Sequence, residues 1–123
     1  MEETLELIKI DKTVYDKPEI ADGKRVLVMR LWPRGLSKGK IDLWLKELGT
    51  PTDLIKKWKN RSVTWSKFSE EYIKSLEGKD ELLKDLATQA RQGTITLLCS
   101  CKDVNHCHRS LLREVLMKYA QTK

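Results

Sequence analysis

The most reactive side chains of this sequence lie in one short segment. All three cysteines and both histidines fall between Cys99 and His108, and Arg109 follows directly. Thiols and imidazoles act as nucleophiles, as general acids and bases, and as metal ligands. Any chemistry of this chain is therefore expected in this segment. Its candidate catalytic residues are His106, Cys107, His108 and Asp103.

Two polar segments leave the predicted carboxyl ends of two buried strands. Thr94–Ser100 and Arg25–Leu31 are both short apolar runs of the kind that form buried strands. In open parallel sheets, ligands bind at the carboxyl ends of the strands. Guanidinium and ammonium groups at this edge would suit a phosphate, sulfate or carboxylate group. We therefore predict an anion-binding cleft, with Arg30, Arg34, Lys102 and Arg109 as its candidate residues.

The elements that must position these segments alternate along the chain. A first strand is predicted at Leu5–Ile10, and a helix at Lys40–Leu48, where apolar residues have helical spacing. Four further apolar stripes predict helices around residues 54–58, 65–76, 82–90 and 111–119. This order predicts a single α/β domain over residues 1–123. It has a small, mostly parallel sheet of three to four strands flanked by about five helices.

The composition limits the domain number, the partners and the cellular compartment that we expect for this chain. The 123 residues suit one domain, and the net charge of +6 favours anionic partners. Basic residues are interspersed with acidic ones rather than gathered into a tail, so an anionic small molecule is favoured over nucleic acid. No apolar run approaches the roughly 20 residues of a membrane span, and the acidic start resembles no secretory signal. Three cysteines do not suit a disulfide scaffold, so we expect a cytoplasmic protein.

Three kinds of function fit these observations. The first is an enzyme acting on a phosphorylated or other anionic small molecule. Cys107 and Arg113 have the spacing of the cysteine phosphatases, although no glycine lies between them to wrap backbone around a phosphate. The second is a structural zinc site with the candidate ligands Cys101, His106, Cys107 and His108, together with Cys99, although these residues lie in no standard zinc spacing. The third is a nucleic-acid or protein binding module that uses Trp32 and Pro33 as a stacking surface.

Several stretches of the sequence together match the pattern of a known family. They are Arg25–Lys38 with its distinctive Arg-Leu-Trp-Pro-Arg-Gly sequence, Asp42–Leu48, Thr96–Leu98, and Lys102 and Asp103 with His106 and His108. In these the chain resembles the YeaO-like proteins of domain-of-unknown-function family 488, over nearly its whole length. The resemblance implies a cytoplasmic α/β domain but no particular reaction. Such proteins usually carry an aspartate at the position of Met29 and other residues at those of Cys99 and Cys101. The resemblance therefore favours the arginines, Lys102, Asp103 and the two histidines as site residues.

Overall fold

A four-stranded parallel sheet forms the centre of the described chain. The computed structural model describes residues 8–100 and 106–121, with side chains as far as Tyr119 in the last helix. The strands are β1 (Ile8–Lys9), β2 (Lys24–Leu27), β3 (Leu43–Trp44) and β4 (Ile95–Leu98), in the order β1-β4-β2-β3. This confirms the predicted small parallel sheet. Residues 5–7 of the predicted first strand lie outside the described residues.

The pairing of β2 with β4 places the two predicted site segments at one edge of the sheet. The two strands are parallel neighbours, with Lys24 opposite Ile95 and Leu27 opposite Leu98. The pairing continues one residue further, because the amide of Val28 donates a hydrogen bond to the carbonyl of Leu98. The chain after β2 and the chain after β4 therefore leave the sheet on the same side.

The described residues form four α-helices rather than about five. They are α1 (Thr52–Lys59), α2 (Trp65–Ser75), α3 (Asp80–Gln92) and α4 (His108–Gln121). The side chain of Thr64 caps the start of α2 by accepting a hydrogen bond from the amide of Lys67. In the part of the chain that the structure describes, no helix is long and apolar enough to cross a membrane.

The predicted helix at Lys40–Leu48 is wrong. This stretch contains β3, with short 3-10 turns at Lys38–Lys40 and Lys46–Leu48 on either side. The open edge of β2 decides the outcome, since the amides of Asp42 and Leu45 donate hydrogen bonds to carbonyls of β2. Sheet pairing also leaves Trp44 38% exposed at the edge, where a helix would have turned it toward the core.

The hydrophobic core lies between the sheet and the four helices. Its buried residues come from all of these elements and include Val26 and Leu97 of the sheet. Tyr72 of α2 is buried in the same cluster, and its hydroxyl donates a hydrogen bond of 2.7 Å to the carbonyl of Leu48. This bond holds α2 against the chain that follows β3, close to the carboxyl edge of the sheet.

Candidate functional site

Three consecutive side chains at the start of α4 are packed into the protein interior. Cys107 precedes the helix and His108 and Arg109 begin it, and all three are buried. The carbonyl of Cys107 accepts hydrogen bonds from the amide and the hydroxyl of Ser110, which close the first turn. Cys99 directly follows β4 and is buried as well. We call Cys99, Cys107, His108 and Arg109 the interior cluster.

The orientation of His108 is fixed by the backbone at the end of β2. Its Nε2 lies 2.6 Å from the carbonyl oxygen of Val28, and its ring packs against the Tyr72 ring in a T-shaped arrangement with the ring centres 5.4 Å apart. A carbonyl oxygen only accepts hydrogen bonds, so Nε2 carries a proton. In the neutral imidazole, Nδ1 then presents its lone pair, and this atom lies 3.7 Å from Sγ of Cys107.

The surroundings of Cys107 favour its thiolate form. A hydrogen bond from Cys99 lowers the pKa of Cys107 most. The imidazolium form of His108, whose Nδ1–H can donate to Sγ, and the positive charge of Arg109 lower it further, and together these effects outweigh the opposing effect of burial. Nε of Arg109 donates to Sγ of Cys107 over 3.3 Å. The pKa of this thiol therefore lies well below its ordinary value. A thiolate is the form of cysteine that attacks electrophiles and binds metal ions.

Arg109 also ties α4 to the chain that follows β1. The side chain is fully buried, and its terminal nitrogen NH1 donates a hydrogen bond to the carbonyl of Lys12. Its predicted role in anion binding stays a prediction.

The other predicted residues occupy different places. His106 is exposed, and its ring lies against Trp65 and Trp58, with ring centres 5.2 and 6.3 Å apart. Arg34 is exposed in the segment after β2, where Pro33 is buried and half-buried Trp32 donates from Nε1 to the carbonyl of Leu36. Cys101, Lys102 and Asp103 lie outside the described residues, and their predicted roles stay predictions.

Arg30 and Lys79 both donate hydrogen bonds to the same short stretch of backbone. Nε of Arg30 donates to the carbonyl of Gly49 over 3.1 Å, and Nζ of Lys79 donates to the carbonyl of Glu47 over 2.7 Å. Burial lowers the pKa of Lys79, and the positive charge of Arg30 lowers it further, while Glu47 opposes the change. We call Arg30 and Lys79 the basic pair. Lys79 was not predicted as a site residue. The sequence around a lysine that precedes a helix does not show that it lies near Arg30, which is 49 positions away.

Three side chains of the interior cluster have the geometry of a metal-binding group. The ligand atoms of Cys99, Cys107 and His108 all lie within 4.8 Å of one another. All three residues of this set, Cys107, His108 and Cys99, are among the zinc ligands considered from the sequence. His106 is not part of the group, and Cys101 lies outside the described residues.

The fold and the site define a small parallel α/β domain with a buried Cys–His–Arg cluster at the carboxyl edge of its sheet. A sequence model with the description "Inactive DUF488-N3 subclade" matches residues 8–123. The chain therefore belongs to the DUF488 family, as its resemblance to YeaO-like proteins predicted.

Curated relatives agree with this assignment. The chain is 38% identical over 107 residues to "Uncharacterized protein YeaO" of Escherichia coli K12, which covers 85% of this chain and 93% of that protein. It is 25% identical over 105 residues to "Uncharacterized protein Mb3100c" of Mycobacterium bovis and "Uncharacterized protein Rv3073c" of Mycobacterium tuberculosis. Each of these alignments covers 84% of this chain and 88% of the relative. No solved structure gives a significant match.

Proposed function

We propose that this protein binds an anionic small molecule through the basic pair, Arg30 and Lys79, beside the carboxyl end of β2. The observation that carries the proposal is the convergence of two cations on the backbone of residues 47–49. Their mutual repulsion contributes to the lowered pKa of Lys79. A phosphate, sulfate or carboxylate group placed between them would relieve that repulsion.

The hydrogen-bond acceptors of the basic pair orient the two cations but carry no charge that would neutralise them. Both accepting groups are backbone carbonyls, which are dipoles with no net charge. Within residues 8–100 and 106–121, no ion pair joins Arg30 or Lys79 to a carboxylate. Elsewhere on the protein the half-buried Lys12 and the buried Arg25 do pair with carboxylates. Glu47 offsets only part of the positive charge at Lys79, so an anionic ligand can supply the remaining negative charge.

Binding is favoured over catalysis for this site. The matching family description contains the word "Inactive", which favours a function without turnover. The cysteine-phosphatase spacing from Cys107 to Arg113 gains no support, because residues 108–113 are the first turns of α4 and do not wrap as a phosphate loop. An enzymatic role for His106, Cys107, His108 and Asp103 stays a prediction from the sequence. Nucleic acid stays the less favoured partner, because the acidic residues are interspersed with the basic ones.

We expect the basic pair to determine the affinity for small anions. Replacing Arg30 or Lys79 by alanine should weaken the binding of inorganic pyrophosphate by about tenfold to 100-fold, since charge-assisted hydrogen bonds contribute about 1.5–3 kcal/mol each. Calorimetric titration of the purified full chain measures this change. Lys84→Ala is the matched control, because it removes the same charge from an exposed position of α3. Equal affinities in all three variants, or no binding by the unmodified protein at millimolar pyrophosphate, would contradict the proposal.

Anion affinity should also fall as the pH rises through the lowered pKa of Lys79. Below this pKa the side chain is an ammonium group that attracts the anion, and above it the neutral amine does not. The loss should therefore begin below the ordinary lysine value of 10.5. Sulfate is the suitable probe, because its charge is constant over this range. Lys79→Arg, whose guanidinium stays protonated, should bind sulfate with an affinity that does not change between about pH 7 and about pH 10. The same pH profile in both proteins would show that Lys79 does not contact the anion.

A further inference from the structure

We propose that Cys99, Cys107 and His108 form a binding site for Zn²⁺ at the junction of β4 and α4. This site is separate from the basic pair and does not depend on the proposed anion binding. Its ligand atoms are two thiol sulfurs and one imidazole nitrogen, all within 4.8 Å of one another. Zn²⁺ prefers this combination of sulfur and nitrogen ligands.

The spacing of the ligand atoms is close to what a tetrahedral ion requires. With Zn–S near 2.3 Å and Zn–N near 2.0 Å, the ligand atoms around a tetrahedral ion lie roughly 3.5–3.8 Å apart. Sγ of Cys107 and Nδ1 of His108 are already 3.7 Å apart. Small rotations of the side chains would bring the third ligand atom to the same spacing. Although Cys107 and His108 are adjacent in sequence, their ligand atoms therefore face one position.

The surroundings hold His108 in the orientation that a metal ligand needs. Its Nε2–H donates to the carbonyl of Val28, so Nδ1 is the atom left for the ion. A hydrogen bond from the second ring nitrogen to a carbonyl or carboxylate is the usual arrangement around zinc-bound histidines. Here the acceptor belongs to the backbone at the end of β2, which the sheet keeps in place.

The surroundings of the two cysteines also favour metal binding. Arg109 donates a hydrogen bond to Sγ of Cys107, which favours the deprotonated ligand that zinc binds. Neither Cys99 nor Cys107 forms a disulfide within the described part of the chain. Because only 3% of Cys107 and 6% of Cys99 is exposed, an ion would be taken up during folding and released slowly. The fourth position of the ion is left to a water molecule or another ligand.

Metal content and spectroscopy test this site on the unmodified chain. Tag-free protein purified with a non-thiol reductant should contain about one zinc per chain that is lost only on prolonged chelation. Protein produced in cobalt-supplemented medium should show the near-ultraviolet thiolate-to-cobalt band and the visible bands of tetrahedral cobalt. Absence of both zinc and the cobalt spectrum would overturn the proposal without any variant being needed, and it would leave the proposed anion binding unaffected.

Matched variants assign the ligands. Cys99→Ser, Cys107→Ser and His108→Asn should each lower the zinc affinity by at least about 100-fold, a larger loss than that of a supporting residue. His106→Asn removes the neighbouring exposed histidine and should leave the affinity unchanged. Far-ultraviolet circular dichroism of the metal-free proteins identifies any variant that has lost its fold. Zinc retained by the folded cysteine variants, or lost equally in His106→Asn, would show that these three residues are not the site.

Discussion

Replacement of Asp22 by asparagine should lower the free energy of unfolding by about 3–5 kcal/mol at neutral pH, the usual loss when one partner of a buried ion pair is removed. Asp22 is 1% exposed and pairs with both Lys12 and Arg25. It also accepts a hydrogen bond from the amide of Glu19. Asparagine has nearly the same shape but no charge, so Arg25 would remain buried without a counter-charge.

Lys12 and Arg25 make Asp22 the centre of a network at the amino end of β2. The guanidinium of Arg25 additionally donates to the carbonyls of Lys40 and Asp16, which fixes two surrounding loops. The carbonyl of Asp22 accepts a 2.7 Å hydrogen bond from the hydroxyl of Thr96 in β4. Gly23 follows at φ +63°, and a Cβ at this position would lie 2.1 Å from the carbonyl oxygen of Thr94. The network therefore supports the pairing of β2 with β4, and its loss should destabilise the whole sheet.

The same network should make the protein sensitive to acid. Burial raises the pKa of Asp22, but hydrogen bonds from Lys12, Glu19 and Arg25 outweigh burial and lower it below the model-peptide value of 3.8. For a carboxyl group with a lowered pKa in the folded state, the stabilisation is present above the unfolded-state pKa and is lost as the pH falls. Stability should therefore decline from about pH 4 downward. The decline should be smaller in Asp22→Asn, which no longer has this carboxylate.

Urea unfolding at pH 7 and at a series of lower pH values measures both effects. Asp53→Asn is the control, because Asp53 is exposed in the first turn of α1 and should change stability by no more than about 0.5 kcal/mol. If Asp22→Asn and Asp53→Asn unfold at the same urea concentration, the network around Asp22 makes no net contribution to the free energy of unfolding, and the stabilising role we assign to it is wrong.

The sequence patterns that predicted the sheet are local, and this explains their success. The apolar runs of β2 and β4 are continuous because both strands are buried in the middle of the sheet. The error at Lys40–Leu48 has a related cause. Ile41, Leu43 and Leu45 alternate with more exposed residues as a strand requires, while Ile41, Trp44, Leu45 and Leu48 also fit a helix. The open edge of β2 selects the strand, and that edge is visible only in the folded protein.

The candidate site was predictable where its residues are close in sequence. Clustering drew attention to Cys107 and His108, and the structure places both in the interior cluster. The partners that orient them come from distant positions, such as the carbonyl of Val28, 80 residues away. Backbone carbonyls carry no sequence signal, so neither this contact nor the one between Arg109 and Lys12 could be inferred from residue types. The same limit hid the proximity of Lys79 to Arg30.

We expect the second large effect at Arg109. Arginine side chains are charged and usually exposed, but this one is fully buried. Arg109→Met should lower the free energy of unfolding by about 2–6 kcal/mol, because it leaves two buried acceptors without their donor. Methionine preserves much of the apolar volume but offers no donor. The sulfur of Cys107 would lose one hydrogen bond and the carbonyl of Lys12 another. An unsatisfied buried acceptor alone costs about 1–3 kcal/mol.

Arg109→Lys separates the contribution of charge from that of geometry. An ammonium group keeps the positive charge but lacks the planar fork that reaches Cys107 and Lys12 from one side chain, so this variant should recover only part of the loss. Arg91→Met, at an exposed position of α3, controls for the removal of an arginine and should stay within about 0.5 kcal/mol of the unmodified protein. All of these proteins should be unfolded in urea with a chelator present, so that metal binding at Cys107 does not mask the change. A loss below about 1 kcal/mol in Arg109→Met would mean that the link between α4 and the chain after β1 is dispensable. The expected loss would identify Arg109 as a residue that holds the start of α4, and with it Cys107 and His108, in place.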